Sequence, residues 1–167
     1  RKLRYSVRTL PYNLEVQRDA ALAEISRAFS CWGSALQLEF VPAGSSWRAD
    51  ASLRFADLSG KGAEFHGGLA VRGGQLSHVA DGTITLDAGE YWLLQRDDVP
   101  LRRPQAVRLY PVLLHAVGHF LGLAHSSSLQ DVMCPYYQGE GAIQAPSPND
   151  IASARSQITE EGGCQHQ

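Results

Sequence analysis

Three histidines in one short run constrain this 167-residue chain more than any other feature. His115 and His119 are four positions apart, so on a helix their imidazoles lie on one face and can bind a single ion. Gly122 can end that helix with a positive φ and turn the chain back, which brings His125 toward the same ion. Three protein ligands leave the fourth position of a zinc ion open, which is typical of a catalytic site rather than a structural one.

The residue after the first histidine limits the chemistry of such a site. In zinc hydrolases with the H-E-x-x-H pattern, this residue is a glutamate that acts as general base toward water. Here it is Ala116, whose methyl group accepts no proton. Losing a positioned general base typically costs about 10²–10⁴ in rate. The sequence therefore predicts a zinc site without efficient hydrolysis.

Length and charge exclude several classes of protein. A chain of 167 residues suits a single domain with its own core. The formal net charge of −2 gives no electrostatic argument for binding nucleic acid. No apolar run approaches the length of a membrane span, and no signal peptide opens the chain.

Hydrophobic periodicity predicts strands in the first half of the chain and helices around a cleft, hence an α+β domain. Strands are expected at 3–7, 36–40, 51–55, 75–79 and 83–86, with Asp81-Gly82 as a hairpin turn. Helices are expected at 14–32, where Gly33 would end the first one, at 105–121 and from Ser147 to about 158. Residues 59–74 are expected to form a long loop that carries His66.

A methionine turn follows the histidine run. Met133 stands in Asp131-Val-Met-Cys-Pro-Tyr-Tyr137, and the long histidine pattern followed by such a turn is the metzincin signature. Further matches cover nearly the whole chain, namely 13–41, Asp87, Glu90, Trp92 and Ser147-Pro-Asn-Asp-Ile151. On these residues the chain resembles the matrix metalloproteinases (matrixins), a branch of the metzincins.

The resemblance implies a metzincin fold: a twisted, mostly parallel sheet of about five strands with one antiparallel edge strand, three helices and a zinc cleft. It also implies that residues 1–160 form a zinc metalloprotease catalytic domain, followed by a C-terminal tail at 161–167. Any secretion signal, pro-segment or appended domain is expected to lie outside this sequence.

The resemblance also assigns roles around the cleft. Met133 would form a hydrophobic floor beneath the zinc histidines. Pro135, Tyr136 and Tyr137 would form the outer wall of the pocket for the substrate side chain after the cut bond, and Pro111 would line the same pocket, which we expect to be roomy and apolar. An extended peptide would bind antiparallel to an edge strand that contains Leu76 and Ser77.

The second, structural zinc site of matrixins is where the chain departs most from the family. That site uses a histidine and an aspartate two positions apart, then two further histidines. Here Gly68 follows His66 in place of the aspartate, His78 is present, and Thr85 stands where the last histidine is expected. We therefore expect this site to be lost, with His66 and His78 as its remnant.

Only part of the calcium-ligand set of matrixins is present in the sequence. Asp87 and Glu90 are placed as in the family, but Arg72 and Gly73 stand where it has Asp-Gly. Because calcium prefers six or more oxygen ligands, a weak or absent calcium site is expected.

The odd cysteine count favours free thiols over a disulfide framework. Cys31, Cys134 and Cys164 show no paired spacing, although a bridge between Cys31 and Cys134 is an open alternative.

The sequence thus predicts an extracellular zinc endopeptidase of the matrixin type, with one catalytic zinc and protein or peptide substrates. A pro-segment or a protein inhibitor is a further expected partner. Because the histidines, Gly122 and Met133 are intact, we interpret Ala116 as an engineered replacement of the general base. The alternative is a natural pseudoprotease that binds a peptide or protein partner without cutting it.

Overall fold

The structure is a computed structural model that describes residues 1–44, 48–58, 66–67 and 75–163. Its elements follow the order β1 (Lys2–Val7), α1 (Tyr12–Glu15), α2 (Arg18–Leu36), β2 (Glu39–Pro42), β3 (Ala51–Ala56), β4 (His66–Gly67), β5 (Ser77–Ala80), β6 (Thr83–Asp87), β7 (Trp92–Leu93), β8 (Val107–Arg108), α3 (Leu109–Phe120), β9 (Tyr136–Tyr137) and α4 (Pro148–Gly163). A 3₁₀ turn at Gly139–Gly141 precedes the last helix.

Five of the strands form the main sheet, in the order β2-β1-β3-β6-β5. The first four are parallel, and β5 is antiparallel to β6 at the edge. Asp81 and Gly82 join these two strands with φ values of 52° and 75°, as a tight hairpin turn requires. The α+β class, the sheet and its antiparallel edge strand are therefore as predicted.

Long helices cover one face of this sheet and form the core with it. Leu53 and Ile84 point from the strands toward Phe29 and Trp32 of α2, and all four side chains are fully buried. The Trp32 indole donates a hydrogen bond of 2.8 Å to the carbonyl of Leu114 on α3. This bond joins the first long helix to the helix that carries two of the histidines.

The first predicted helix differs from the observed one at both ends. The chain breaks at Val16 and Gln17 into the short α1 and the long α2, which is one helix more than the three expected. Gly33 does not end α2, which continues to Leu36. A Cβ at Gly33 would lie 2.6 Å from the carbonyl oxygen of Leu38, so this glycine serves the close approach of the following chain.

The histidine helix begins later than predicted. Residues 107–108 form β8, which pairs with β7, and the amide of Val107 donates to the carbonyl of Tyr91 over 2.9 Å. This pairing holds the chain extended until α3 begins at Leu109, rather than at 105. At the other end of the chain, α4 continues to Gly163, five residues beyond the predicted 158.

The predicted loop at 59–74 contains one described element. The backbone of β4 pairs in parallel with β9, so that His66 is aligned with Tyr136. Its other residues, including Arg72 and Gly73, lie outside the described part of the chain, as does the tail from 164 onward. Among the described helices, none combines the length and apolar character that crossing a bilayer requires.

Candidate metal centre

The three predicted histidines converge on one point. His119 Nε2 lies 3.0 Å from His115 Nε2 and 3.1 Å from His125 Nε2. Gly122 has a φ of 95°, which turns the chain after α3 and carries His125 back to the other two. Three nitrogens bound tetrahedrally at zinc distances of about 2.0–2.1 Å would lie about 3.3 Å apart, close to the spacing found here.

Hydrogen bonds on the far side of two rings fix their tautomers. His115 Nδ1 lies 2.8 Å from the carbonyl oxygen of Val132, and His119 Nδ1 lies 2.8 Å from that of Leu123. A carbonyl only accepts, so both Nδ1 atoms donate and the lone pairs of the neutral rings are on Nε2. Burial, reinforced by the neighbouring His119, holds the pKa of His115 well below its usual value and keeps this ring neutral.

This donor set fits a zinc ion. Facing lone pairs on Nε2 repel each other unless a cation lies between them, and neutral imidazole is a preferred zinc ligand. The cluster is fully buried at His115, half-buried at His119 and exposed at His125. It therefore opens to solvent on one side, as a catalytic site must.

The partner of His115 is itself held by the start of α4. Asp150 Oδ2 accepts a hydrogen bond of 2.7 Å from the amide of Val132, whose carbonyl faces His115. Ser147 Oγ accepts from the amide of Asp150 over 3.0 Å, and Asp150 accepts in return from the amide of Ser147 over 2.9 Å. This reciprocal cap is the predicted helix start, and it links α4 to His115 through the backbone of Val132.

Met133 packs beneath α3 at Gly118. A Cβ on Gly118 would overlap the Met133 sulfur atom and would lie 3.1 Å from Trp32 Cζ2. Both neighbours are almost completely buried, so neither has free space to move into. The position therefore admits no side chain without displacing the methionine turn.

Gly118→Ala is expected to lower the free energy of unfolding by about 1–3 kcal/mol, because overpacking a dense core exceeds the gain in helix propensity. Urea unfolding measures the change. Gly141→Ala is the matched control, since no atom lies within 4 Å of a Cβ built there. Equal stability of the two variants would show that Met133 does not pack against Gly118 as described.

Asp131 is a functional neighbour that the sequence did not single out. Its carboxylate accepts hydrogen bonds from the side chains of Ser126, Ser147 and Asn149, which tie the methionine turn to α4. Burial works against the charged form, but these three donors outweigh it and lower the pKa of Asp131.

The lowered pKa gives this network a pH dependence. Because the folded pKa lies below the unfolded one, the stabilisation is present above the ordinary aspartate pKa of about 3.9 and is lost as pH falls through the folded value. Asp131→Asn is therefore expected to destabilise the fold by about 1–3 kcal/mol at neutral pH, and by progressively less as the pH falls below about 4. Urea unfolding of both proteins between pH 7 and pH 3 checks this; a constant difference would contradict it.

The predicted substrate wall lines a small cleft. Pro111, Tyr136 and Tyr137 border it, together with Cys134 and Ile143. The volume of this cleft is about 20 Å³, and the expectation of a roomy, apolar substrate pocket stays a prediction.

One tyrosine of this wall is turned inward. Tyr137 is only 7% exposed, and its hydroxyl accepts a 2.8 Å hydrogen bond from the amide of Arg108, which holds the ring inward. Pro135, two residues before Tyr137, is half-buried and is not among the residues that line the cleft.

The edge-strand residues lie beside the histidine helix. Leu76 and Ser77 are fully buried, and β5 packs against α3. The carbonyl of Leu76 accepts from the amide of Asp87 over 3.0 Å, and the Ser77 hydroxyl is buried without a hydrogen-bond partner. Both residues are thus close to the histidine helix, with their side chains turned into the protein.

The remnant of the structural zinc site is only partly described. There, His115, His119 and His125 are the only group of three or more potential ligands close enough to share an ion. His78 is exposed on β5, aligned with Thr85, and the side chain of His66 lies outside the described residues.

Asp87, the first of the two expected calcium ligands, is engaged elsewhere. Its Oδ1 accepts hydrogen bonds from the amides of Leu58 and Gly89, at 3.2 and 3.1 Å. Calcium binding by Asp87 and Glu90 therefore stays a prediction.

The cysteines carry no cross-link in the described residues. Cys31 and Cys134 are free thiols, so the alternative of a bridge between them is wrong. Cys164 lies outside the described residues.

Comparison with known proteins agrees with this geometry. The matrixin family profile matches residues 1–157. Metalloendoproteinase 1 of Glycine max is 35% identical over 121 residues, which cover 70% of this chain and 38% of that protein. Matrix metalloproteinase-C of Caenorhabditis elegans is 32% identical over 143 residues, which cover 82% of this chain and 23% of that protein. The chain thus spans well under two thirds of these relatives, and over nearly its whole length it belongs to the matrixin family.

Proposed function

We propose that this chain is the catalytic domain of a zinc-dependent endopeptidase, able to bind zinc and a peptide but disabled in hydrolysis by Ala116. One zinc would be held by His115, His119 and His125. The observation that carries the proposal is the convergence of three imidazoles: His119 Nε2 lies 3.0 Å from His115 Nε2 and 3.1 Å from His125 Nε2, and the Nδ1 atoms of His115 and His119 donate to carbonyls. When bound, zinc supplies Lewis-acid chemistry: it polarises a carbonyl and lowers the pKa of water.

The chain's own residues would position the substrate and then fail at proton transfer. A peptide would extend antiparallel along β5, near Leu76 and Ser77, with one side chain directed toward the cleft of Pro111 and the Pro135–Tyr137 wall. Ala116 is fully buried on α3 and offers no atom that can hold a proton. Binding without efficient turnover is the expected behaviour.

A natural pseudoprotease is the second candidate, and one observation favours it. Ala116 is fully buried within the hydrophobic core, where an apolar methyl group is better accommodated than a carboxylate. Such packing suits a domain that holds a partner without cutting it. The codon for residue 116 in the native gene separates this candidate from an engineered replacement.

Other assignments rest on family membership. We propose protein or peptide substrates outside the cell, and a pro-segment or protein inhibitor as a further partner. The names metalloendoproteinase and matrix metalloproteinase among the relatives support the first of these. Residues 1–160 would form the catalytic domain, with 161–167 as a tail and Asp87 and Glu90 as calcium ligands.

A peptide library tests the proposal. The zinc-loaded domain, immobilised on an affinity column, is expected to retain extended peptides. Fluorogenic versions of the same peptides are expected to be cleaved only very slowly. Adding a chelator should change this cleavage rate very little, because little turnover is present without it. Rapid, chelator-sensitive cleavage by the protein with Ala116 would overturn the assigned role of this position, and failure to bind zinc would overturn the site itself.

A further inference from the structure

The sheet has a second, polar face that the peptidase site does not use. Strand alternation places hydroxyl, guanidinium and imidazole side chains on the side opposite the core: Ser6 on β1, Ser52 and Arg54 on β3, Thr83 and Thr85 on β6, and His78 on β5. The register aligns them in rows across the strands, since Ser52 pairs with Thr83 while Arg54 and His78 both pair with Thr85. The face therefore carries many hydrogen-bond donors in a regular arrangement.

Two arginines are anchored on this face by one nitrogen each. Arg8 Nε donates to Ser52 Oγ over 3.3 Å, and Arg54 Nε donates to Thr85 Oγ1 over 3.0 Å. A guanidinium has five N–H donors, so each retains four on its terminal nitrogens. The salt bridges found in the described residues involve other arginines, and none includes Arg8 or Arg54.

Both arginines line one open groove of about 660 Å³. Thr9, Ser52, Thr83 and Thr85 add hydroxyl groups to its wall, and His78 adds an imidazole. Asp81, at the hairpin turn, is the one carboxylate among the described lining residues. The two guanidinium charges therefore exceed the negative charge, and the groove presents a net positive, donor-rich surface.

We propose that this groove binds a tetrahedral oxyanion, the phosphate or sulfate group of a soluble ligand, through Arg8 and Arg54. Arginine binds such groups with parallel N–H···O bonds, and the neighbouring hydroxyls can donate to further oxygens. The same charges oppose a cation. Arg54 donates to Thr85, the residue that stands where matrixins have the last histidine of their structural zinc site. A guanidinium bonded at this position favours an anion over a cation.

Sulfate titration of the zinc-loaded domain tests the proposal, with sodium chloride at equal ionic strength as reference. Saturable binding is expected by calorimetry, with shifts of the Arg8 and Arg54 Nε–H signals in NMR spectra. Arg8→Gln and Arg54→Gln are each expected to weaken binding about tenfold, the usual effect of one charged hydrogen bond. Arg102→Gln, which removes the same charge from an exposed position that does not line the groove, should leave the affinity unchanged.

Further ligands identify the source of the oxyanion, and thermal unfolding shows whether each variant is folded. Inorganic phosphate, a sulfated disaccharide and phosphoserine show whether the free ion or an ester binds more tightly; either result supports the site. Thermal unfolding reports whether Arg54→Gln folds, and Arg8→Gln and Arg54→Lys provide the test if it does not. Identical responses to sulfate and chloride, or an equal loss in Arg102→Gln, would overturn the proposal. The outcome is independent of peptidase activity, because the readout involves neither peptide nor hydrolysis.

Discussion

Ala116→Glu is expected to raise the rate of peptide hydrolysis by about 10²–10⁴-fold in the zinc-loaded domain. Position 116 follows His115 on α3, so a glutamate there would place a carboxylate next to the metal ligands, where it can accept a proton from water. The rest of the proposed site is unchanged by the substitution. The measurement is kcat/KM on a fluorogenic peptide library, with and without a chelator.

Ala116→Gln is the matched control for this gain. Its side chain has the size and shape of glutamate but cannot act as a base at neutral pH, so its rate should stay near that of the Ala116 protein. Because residue 116 is buried, both variants also need a thermal unfolding measurement. A folded, zinc-loaded Ala116→Glu protein that cleaves no peptide would exclude a simply disarmed protease and favour the pseudoprotease.

His119→Ala is expected to reduce zinc affinity by about a hundredfold or more. Zinc sites are worth about 10–16 kcal/mol in total, so each of a few ligands contributes several kcal/mol. His119 Nε2 lies 3.0 Å from His115 Nε2 and 3.1 Å from His125 Nε2, so its removal takes away one of the three converging nitrogens. Competition with a chromophoric zinc chelator measures the affinity directly.

His78→Ala provides the control for this loss. It removes an imidazole from the exposed edge strand, away from the histidine cluster, and should leave both zinc affinity and stoichiometry unchanged. A comparable loss in the two variants would mean that zinc binds non-specifically to surface histidines. If the unsubstituted domain binds two zinc ions and His78→Ala binds only one, the structural zinc site is present in this chain.

Sequence patterns predicted the framework because they are set by local physics. Strand alternation and the Asp81-Gly82 turn determine the sheet edge, and the spacing of His115, His119 and Gly122 determines the metal cluster. Each of these signals depends on residues close in the chain. The start of α4 and four of the five main-sheet strands, to within two residues, follow from the same reasoning. The prediction of a strand at 36–40 was wrong, because α2 continues to Leu36 and β2 spans Glu39–Pro42.

Contacts between distant segments were not predictable in this way. Gly33 looked like a helix end, but its absent side chain accommodates the carbonyl of Leu38 inside a tertiary contact. The partner of His115 is a backbone carbonyl, that of Val132, and no sequence pattern reveals a backbone acceptor. The inward position of Tyr137 likewise depends on a hydrogen bond from the amide of Arg108, which lies in another part of the chain.

Zinc quantification of the purified domain, combined with X-ray absorption at the zinc edge, tests the central claim most directly. One zinc per chain with three imidazole nitrogens in its inner shell is the predicted result. A zinc-replete protein that retains no metal, or a zinc whose shell contains fewer than three imidazoles, would contradict the account.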